Sequence, residues 1–242
     1  MTSTVFIDVG AHVGETVEEA VRPRWQFDRV FAFEPVARNV EVLRSIPSHS
    51  LTVVDAGWWK EDALMDVHDP GDIGASVHAA KARTATVERC RFVDAAEWMA
   101  ENTRAGDEIW LKLNCEGAEC DIIDALDAAR LLDRVSHLLV HFDVEKIPGM
   151  APRAEQARAT LRSNGVEFLE ADQIMYGRSH QAKTANWIRW TKGNNIRRFV
   201  CCHPVKWNFR ARQLLYPLKT RWVQRSSSQP RSSAVPDGGA AD

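Results

Sequence analysis

Asp8-Val-Gly10-Ala-His12-Val-Gly14 puts a carboxylate, two glycines and an imidazole directly after an apolar run. Glycines in such a place let backbone approach a ligand closely. In an open α/β sheet, ligands sit at the carboxyl ends of the strands. The spacing is G-x-x-x-G with His at its centre, not the G-x-G-x-x-G of a dinucleotide fingerprint. Asp8 precedes the loop and Glu15 follows it. Carboxylates there repel a pyrophosphate, which favours a bare helix N-terminus. They suit a cation such as S-adenosylmethionine, with its sulfonium and ammonium. Glu34, within Phe33-Glu34-Pro35, follows Gly14 by 20 residues, and an acid so placed accepts hydrogen bonds from ribose hydroxyls. Asp55-Ala56-Gly57 closes a third apolar run, placed to border an adenine. Together these features predict a cofactor site built on Asp8, Gly10, Gly14, Glu34 and Asp55.

Strands and helices must hold these positions. Short apolar runs predict buried parallel strands at Thr4–Val9, Arg29–Phe33, Leu51–Val54, Glu108–Leu113 and His137–Phe142. Helical periodicity falls at Gly14–Val21, Ala37–Ile46, Ala95–Asn102, Ala118–Leu132 (in one or two pieces) and Arg153–Asn164, the last ending at Gly165. Residues 56–92 read as short hairpin segments. Val166–Leu169 and Asn186–Trp190 read as a final antiparallel pair. Strands alternating with helices imply right-handed βαβ units and a parallel sheet.

The chain has 242 residues, 45% of them apolar and 26% charged. That balance excludes wholesale disorder, and no stretch approaches the ~18 apolar residues of a membrane-spanning helix. The N-terminus has no basic region leading into a long apolar run, which points to the cytoplasm. Five cysteines, two of them adjacent at Cys201-Cys202-His203, show no CxxC spacing, and no metal site is expected. Charge is unevenly spread. Residues 1–172 carry 18 Lys and Arg against 31 Asp and Glu, whereas residues 173–236 carry 13 against none. The expected organisation is a folded domain over 1–190, a basic aromatic extension over 191–225 with a helix at 205–215, and a disordered Ser/Pro/Gly-rich tail over 226–242. Trp187, Trp190, Trp207 and Trp222 lie in the acid-free stretch. Three uses remain open for it: contact with an anionic glycan or membrane surface, nucleic-acid binding, or packing on the acidic body. The charge of the body disfavours nucleic acid.

The segments FIDVGAHVGETV (6–17), VFAFEPVARNVEVL (30–43), AGWWKED (56–62), GASV (74–77) and LKLNCEGAECDIIDAL (111–126) resemble the FkbM-type S-adenosylmethionine-dependent methyltransferases. The resemblance extends, more weakly, through HLLVHFD (137–143) to about residue 190. It implies a class I methyltransferase, Rossmann-like three-layer sandwich, with a seven-stranded, mostly parallel sheet whose last strand is antiparallel. It also implies methyl transfer to hydroxyls of sugars, glycans or natural products. Two positions depart from the family: Asn114 stands where an Asp is usual, and His141 where a Glu is frequent.

On this reading Asn114 joins the donor site. His141 is the base that deprotonates a hydroxyl, oriented by Asp143 or Glu116, and Glu116 is a second acceptor-side residue. His141 can instead be a structural imidazole, and Glu116 and Glu119 can instead cap the following helix or bind backbone. His12, Ser76 and His78 border the acceptor cleft. Two other classes stay open: a non-catalytic relative that binds donor or glycan, and a nucleotide-cofactor oxidoreductase.

Overall fold

The computed structural model describes residues 2–171 and 179–192. The extension, its helix at 205–215, the tail and the boundaries between them lie outside the described residues.

Strands β1 (Thr4–Val9), β2 (Arg29–Phe33), β3 (Leu51–Val54), β7 (Glu108–Leu113), β8 (Val135–Val140) and β9 (Phe168–Glu170) form one sheet in the order β3-β2-β1-β7-β8-β9. Every pairing in it is parallel. Between β3 and β7 lie β4 (Gly57–Trp59), β5 (Ala63–His68) and β6 (Val87–Asp94), a separate sheet in the order β4-β6-β5. The segment expected as broken hairpins is therefore a small sheet of its own.

The strands are apolar on both faces because both faces are covered. Val5, Ile7 and Val9 of β1 pack with Met99 of α3 (Ala95–Asn102), Ile122 and Leu126 of α4 (Glu119–Ala128) and Leu161 of α5 (Ala151–Ser163). Phe6, on the opposite face, packs with Val17 of α1 (Glu15–Ala20), Leu43 of α2 (Ala37–Arg44) and Trp187 of α6 (His180–Lys192). The result is a three-layer, Rossmann-like α/β arrangement.

The end of the domain differs from expectation. Residues 186–190 belong to helix α6, and β9 pairs parallel with β8, Leu139 opposite Leu169. The described sheet thus has six strands, all parallel, and no antiparallel seventh. The aromatic and β-branched content of NWIRW suggested a strand. Its burial instead follows a helical repeat: Thr184, Ala185, Trp187 and Ile188 are buried, and the Trp187 ring stacks 5.4 Å from that of Trp110. The strand expected at 137–142 runs two residues earlier. His141 therefore lies just beyond β8, its N–H donating to Leu113 O at 2.9 Å.

Candidate functional site

The carboxyl ends of β1, β2 and β7 open onto a cleft whose wall is completed by Asp72, Ile73 and Ala75–Val77. Gly10, Glu34, Asn114 and Glu116 line it, with His12 and Ser76. Asp8, Gly14, Asp55 and His141 do not.

The glycine loop is pinned by its neighbours. Gly10 has φ +79°, and a Cβ there would stand 2.1 Å from Asn114 O, so the crossing of β1 past β7 requires glycine. Gly14, at the head of α1, has φ +90° and faces Ile46 and Leu43. A Cβ there would meet Ile46 Cδ1 at 2.5 Å and Leu43 Cδ2 at 2.9 Å, so packing alone asks for glycine. Four of the five loop amides are already engaged. Gly10 N and Ala11 N both donate to Phe33 O, at 3.1 and 3.0 Å, and Gly14 N donates to Ala11 O at 2.9 Å. His12 N donates to Glu34 Oε2 at 2.8 Å.

Glu34 is buried and takes two further donors on Oε1: Val36 N at 3.1 Å and Asn39 Nδ2 at 3.2 Å. Burial pushes its carboxyl above the ordinary range, and these N–H groups pull it back. A carboxylate has about four acceptor positions, so three donors leave room for a ligand hydroxyl. His12 Nε2–H reaches Gly71 O at 3.4 Å and ties the loop to the 69–75 segment.

Asp8 and Asp55 have other work. Asp8 is fully buried and pairs with Lys112 Nζ at 2.6 Å. The two are register partners on adjacent strands, which places their side chains on one face. Asp55 is half exposed and lies 3.6 Å from Arg44 on α2.

The β7 and β8 ends form a second group. His141 Nδ1 lies 2.9 Å from Asn114 Oδ1 and 3.4 Å from Asp143 Oδ2. Asn114 Oδ1 is an acceptor, so Nδ1 carries the proton of that bond and Nε2 is the ring's other nitrogen. The two departures from the family pattern are thus hydrogen-bonded to each other. Asp143 Oδ2 stands beside the ring without a hydrogen bond to it, and Oδ1 pairs with Lys146.

Glu116 is held differently. Its carboxylate pairs with Lys81, and its carbonyl accepts from Ser76 Oγ at 2.6 Å and from Lys81 Nζ at 3.3 Å. His78 Nε2–H donates to Gly117 O at 3.2 Å. These three donors clamp a turn in which Glu116 has φ +53° and Gly117 +119°. Glu119 is fully buried, and Gly117 N donates to its Oε1 at 3.0 Å. Burial is the main cause that pushes its carboxyl up to about 8, with Asp143 adding to it. Of the two orienting partners considered for His141, Asp143 stands beside the ring and Glu116 does not.

Sequence reasoning missed Lys112, Lys81 and the apolar wall of Val36, Trp58, Val67 and Phe92. For Lys112 a signal existed. A lone Lys in the apolar strand EIWLKL and a lone Asp in TVFIDV must neutralise each other if the strands pair. For Lys81 there was none. Among the described residues, no group of three or more His, Cys, Asp or Glu could hold a metal ion.

No family model matches the chain, and no curated protein matches it. Among solved structures it is similar to the methyltransferase FkbM from Methylobacillus flagellatus KT, at 15% identity and a TM-score of 0.35. The similarity covers 53% of this chain and 30% of that one. The chain thus spans less than a third of the protein it resembles, and its chemistry must be read from its own cleft.

Proposed function

We propose that the cleft binds S-adenosylmethionine and that the protein transfers its methyl group to a hydroxyl of a saccharide, glycan or related metabolite. One observation carries this reading: four of the five amides of the loop over residues 10–14 are already engaged, which leaves little of a cradle for a pyrophosphate. The N–H groups of Gly10, Ala11, His12 and Gly14 are all consumed by protein acceptors. Helix α1 is six residues long and has Glu15 and Glu18 in its first turn. A phosphate needs free amides and a positive helix end.

The lining residues fit a cation. They include no Lys or Arg, and of the three lining carboxylates Glu116 and Asp72 are paired with Lys81 and Arg83, while Glu34 is held by N–H groups alone. Glu34 is the group for the ribose hydroxyls, and Trp58, Val67 and Phe92 give an apolar wall for a base. The bound donor supplies an already activated methyl group, so the protein chiefly has to align the acceptor. Alignment of this kind is worth up to ~7–11 kcal/mol.

The acceptor hydroxyl must lose a proton. His141 Nε2 is the atom to take it, because Nδ1–H is committed to Asn114 Oδ1. Asn114 bridges the two parts of the site: it lines the cleft and fixes the imidazole behind it. General-base assistance is worth ~10²–10⁴-fold.

The test is transfer of labelled methyl from S-adenosylmethionine to a panel of hydroxylated saccharides. The wild type should label at least one, and His141→Gln should slow labelling by about 10²-fold or more with donor affinity unchanged. Full activity in His141→Gln removes it as base. Binding of donor without labelling of any acceptor favours the non-catalytic reading.

A further inference from the structure

Asp143 has no exposure at all, yet it faces two basic side chains. Lys146, one turn further along, sits on Oδ1 and keeps 58% of its side chain exposed. His141 Nδ1 faces Oδ2. A carboxylate beside an imidazole raises the proton affinity of the ring. An imidazolium has no lone pair and cannot act as a base. A buried carboxylate is therefore a hazard to a basic histidine unless its charge is met by something else.

We propose that Lys146 is a positioning residue acting through Asp143: it meets the charge of that carboxylate, so that a carboxylate 3.4 Å from the His141 ring does not charge it. The proposal rests on the reading of His141 as the base and deepens it. Asn114 serves the same end. The acceptor on Nδ1, at 2.9 Å, is a neutral amide, and the carboxylate stands off at 3.4 Å. An Asp at position 114 would put a second carboxylate against the ring.

Among the described residues, the titratable groups that face this cluster from neighbouring elements have partners of their own or keep their protons. Glu119, at the head of α4, feels Asp143 but keeps its proton at neutral pH, since burial pushes it up to about 8. Cys115, at the end of β7, is held well above its ordinary range by burial and stays a thiol. Glu116 is paired with Lys81. Glu145, on the same turn as Lys146, is paired with Arg158 of α5, 2.7 Å away. Lys112, further down β7, is paired with Asp8. Lys146 is thus the cation set against Asp143.

The test is a ring-nitrogen NMR titration of the full-length protein, labelled on histidine and free of ligand, with the His141 signals assigned by their loss in His141→Gln. The wild type should show the Nδ1–H tautomer. Lys146→Gln should raise the His141 midpoint by about 1 pH unit, and Lys146→Arg should leave it in place. The effect must pass through Asp143, so Lys146→Gln should shift nothing in an Asp143→Asn background. An unchanged midpoint in Lys146→Gln, an equal rise in the Asp143→Asn background, or an Nε2–H tautomer overturns the proposal. The titration needs neither donor nor acceptor. It can therefore succeed where methyl transfer fails, and fail where methyl transfer succeeds.

Discussion

The two halves of the candidate site are built in different ways. At the β1 and β2 ends, Glu34 is held by N–H groups from His12, Val36 and Asn39, all within 22 residues of it. None of these donors changes charge near neutral pH. At the β7 and β8 ends, side chains from different elements hold each other: Asn114 with His141, Lys81 with Glu116, Lys146 with Asp143. Most of those groups titrate. The first half is fixed by local backbone. The second half depends on where its protons and charges sit.

The Asp8–Lys112 pair lies where the halves join, between β1 and β7. Breaking it should produce the largest effect. Lys112→Met strands a fully buried carboxylate, which costs about 3–5 kcal/mol. Chemical denaturation should show that loss, and pairing the change with Asp8→Leu should recover most of it. A single variant as stable as the wild type would mean that the strands are not joined this way.

The next prediction separates the halves by function. Glu34→Ala removes the acceptor for the ribose and the tie to His12. It should weaken donor binding by about 10–100-fold, on the scale of lost hydrogen bonds to a charged group. Calorimetric titration reads this directly. His141→Gln should do the reverse, slowing turnover while leaving donor affinity intact. If both variants lost donor affinity equally, the division into two halves would be wrong.

A smaller effect is expected from pH. The Glu119 carboxyl holds its proton up to about 8 in the folded protein and releases it near 4.5 when unfolded. Between those values the folded state binds more protons, so stability falls as pH rises. The slope is at most about 1.4 kcal/mol per pH unit. Glu119→Gln should flatten this slope between pH 5 and 8 while keeping the acceptor for Gly117 N–H. A slope unchanged in the variant would show that Glu119 ionises normally.

The first half was far more legible in the sequence than the second. The glycine loop and Glu34 act on neighbours a few residues away or at the next strand end, so spacing alone exposes them. Even there, spacing placed Asp8 and Asp55 at strand ends but not beside their partners. Asp8 pairs with Lys112, 104 residues distant, and Asp55 is half exposed after the edge strand β3, beside Arg44. In the second half, His141 and Asn114 stood out as departures from a pattern, but their hydrogen bond depends on the register of β7 with β8. Lys81 reaches Glu116 from an irregular segment that carries no periodic signal. The run at 186–190 was misread because Trp and Ile suit strands, whereas its burial repeats every three to four residues.

The central claim is that this glycine loop takes a cationic methyl donor and refuses a pyrophosphate. The most direct measurement is a thermal-shift titration of the protein with S-adenosylmethionine, S-adenosylhomocysteine and NAD in parallel. A ligand at about 100 times its dissociation constant stabilises by ~2.7 kcal/mol, which moves Tm by a few degrees. The account predicts that shift with both adenosyl ligands and none with NAD. A shift with NAD alone, or no shift with any of the three, would contradict it.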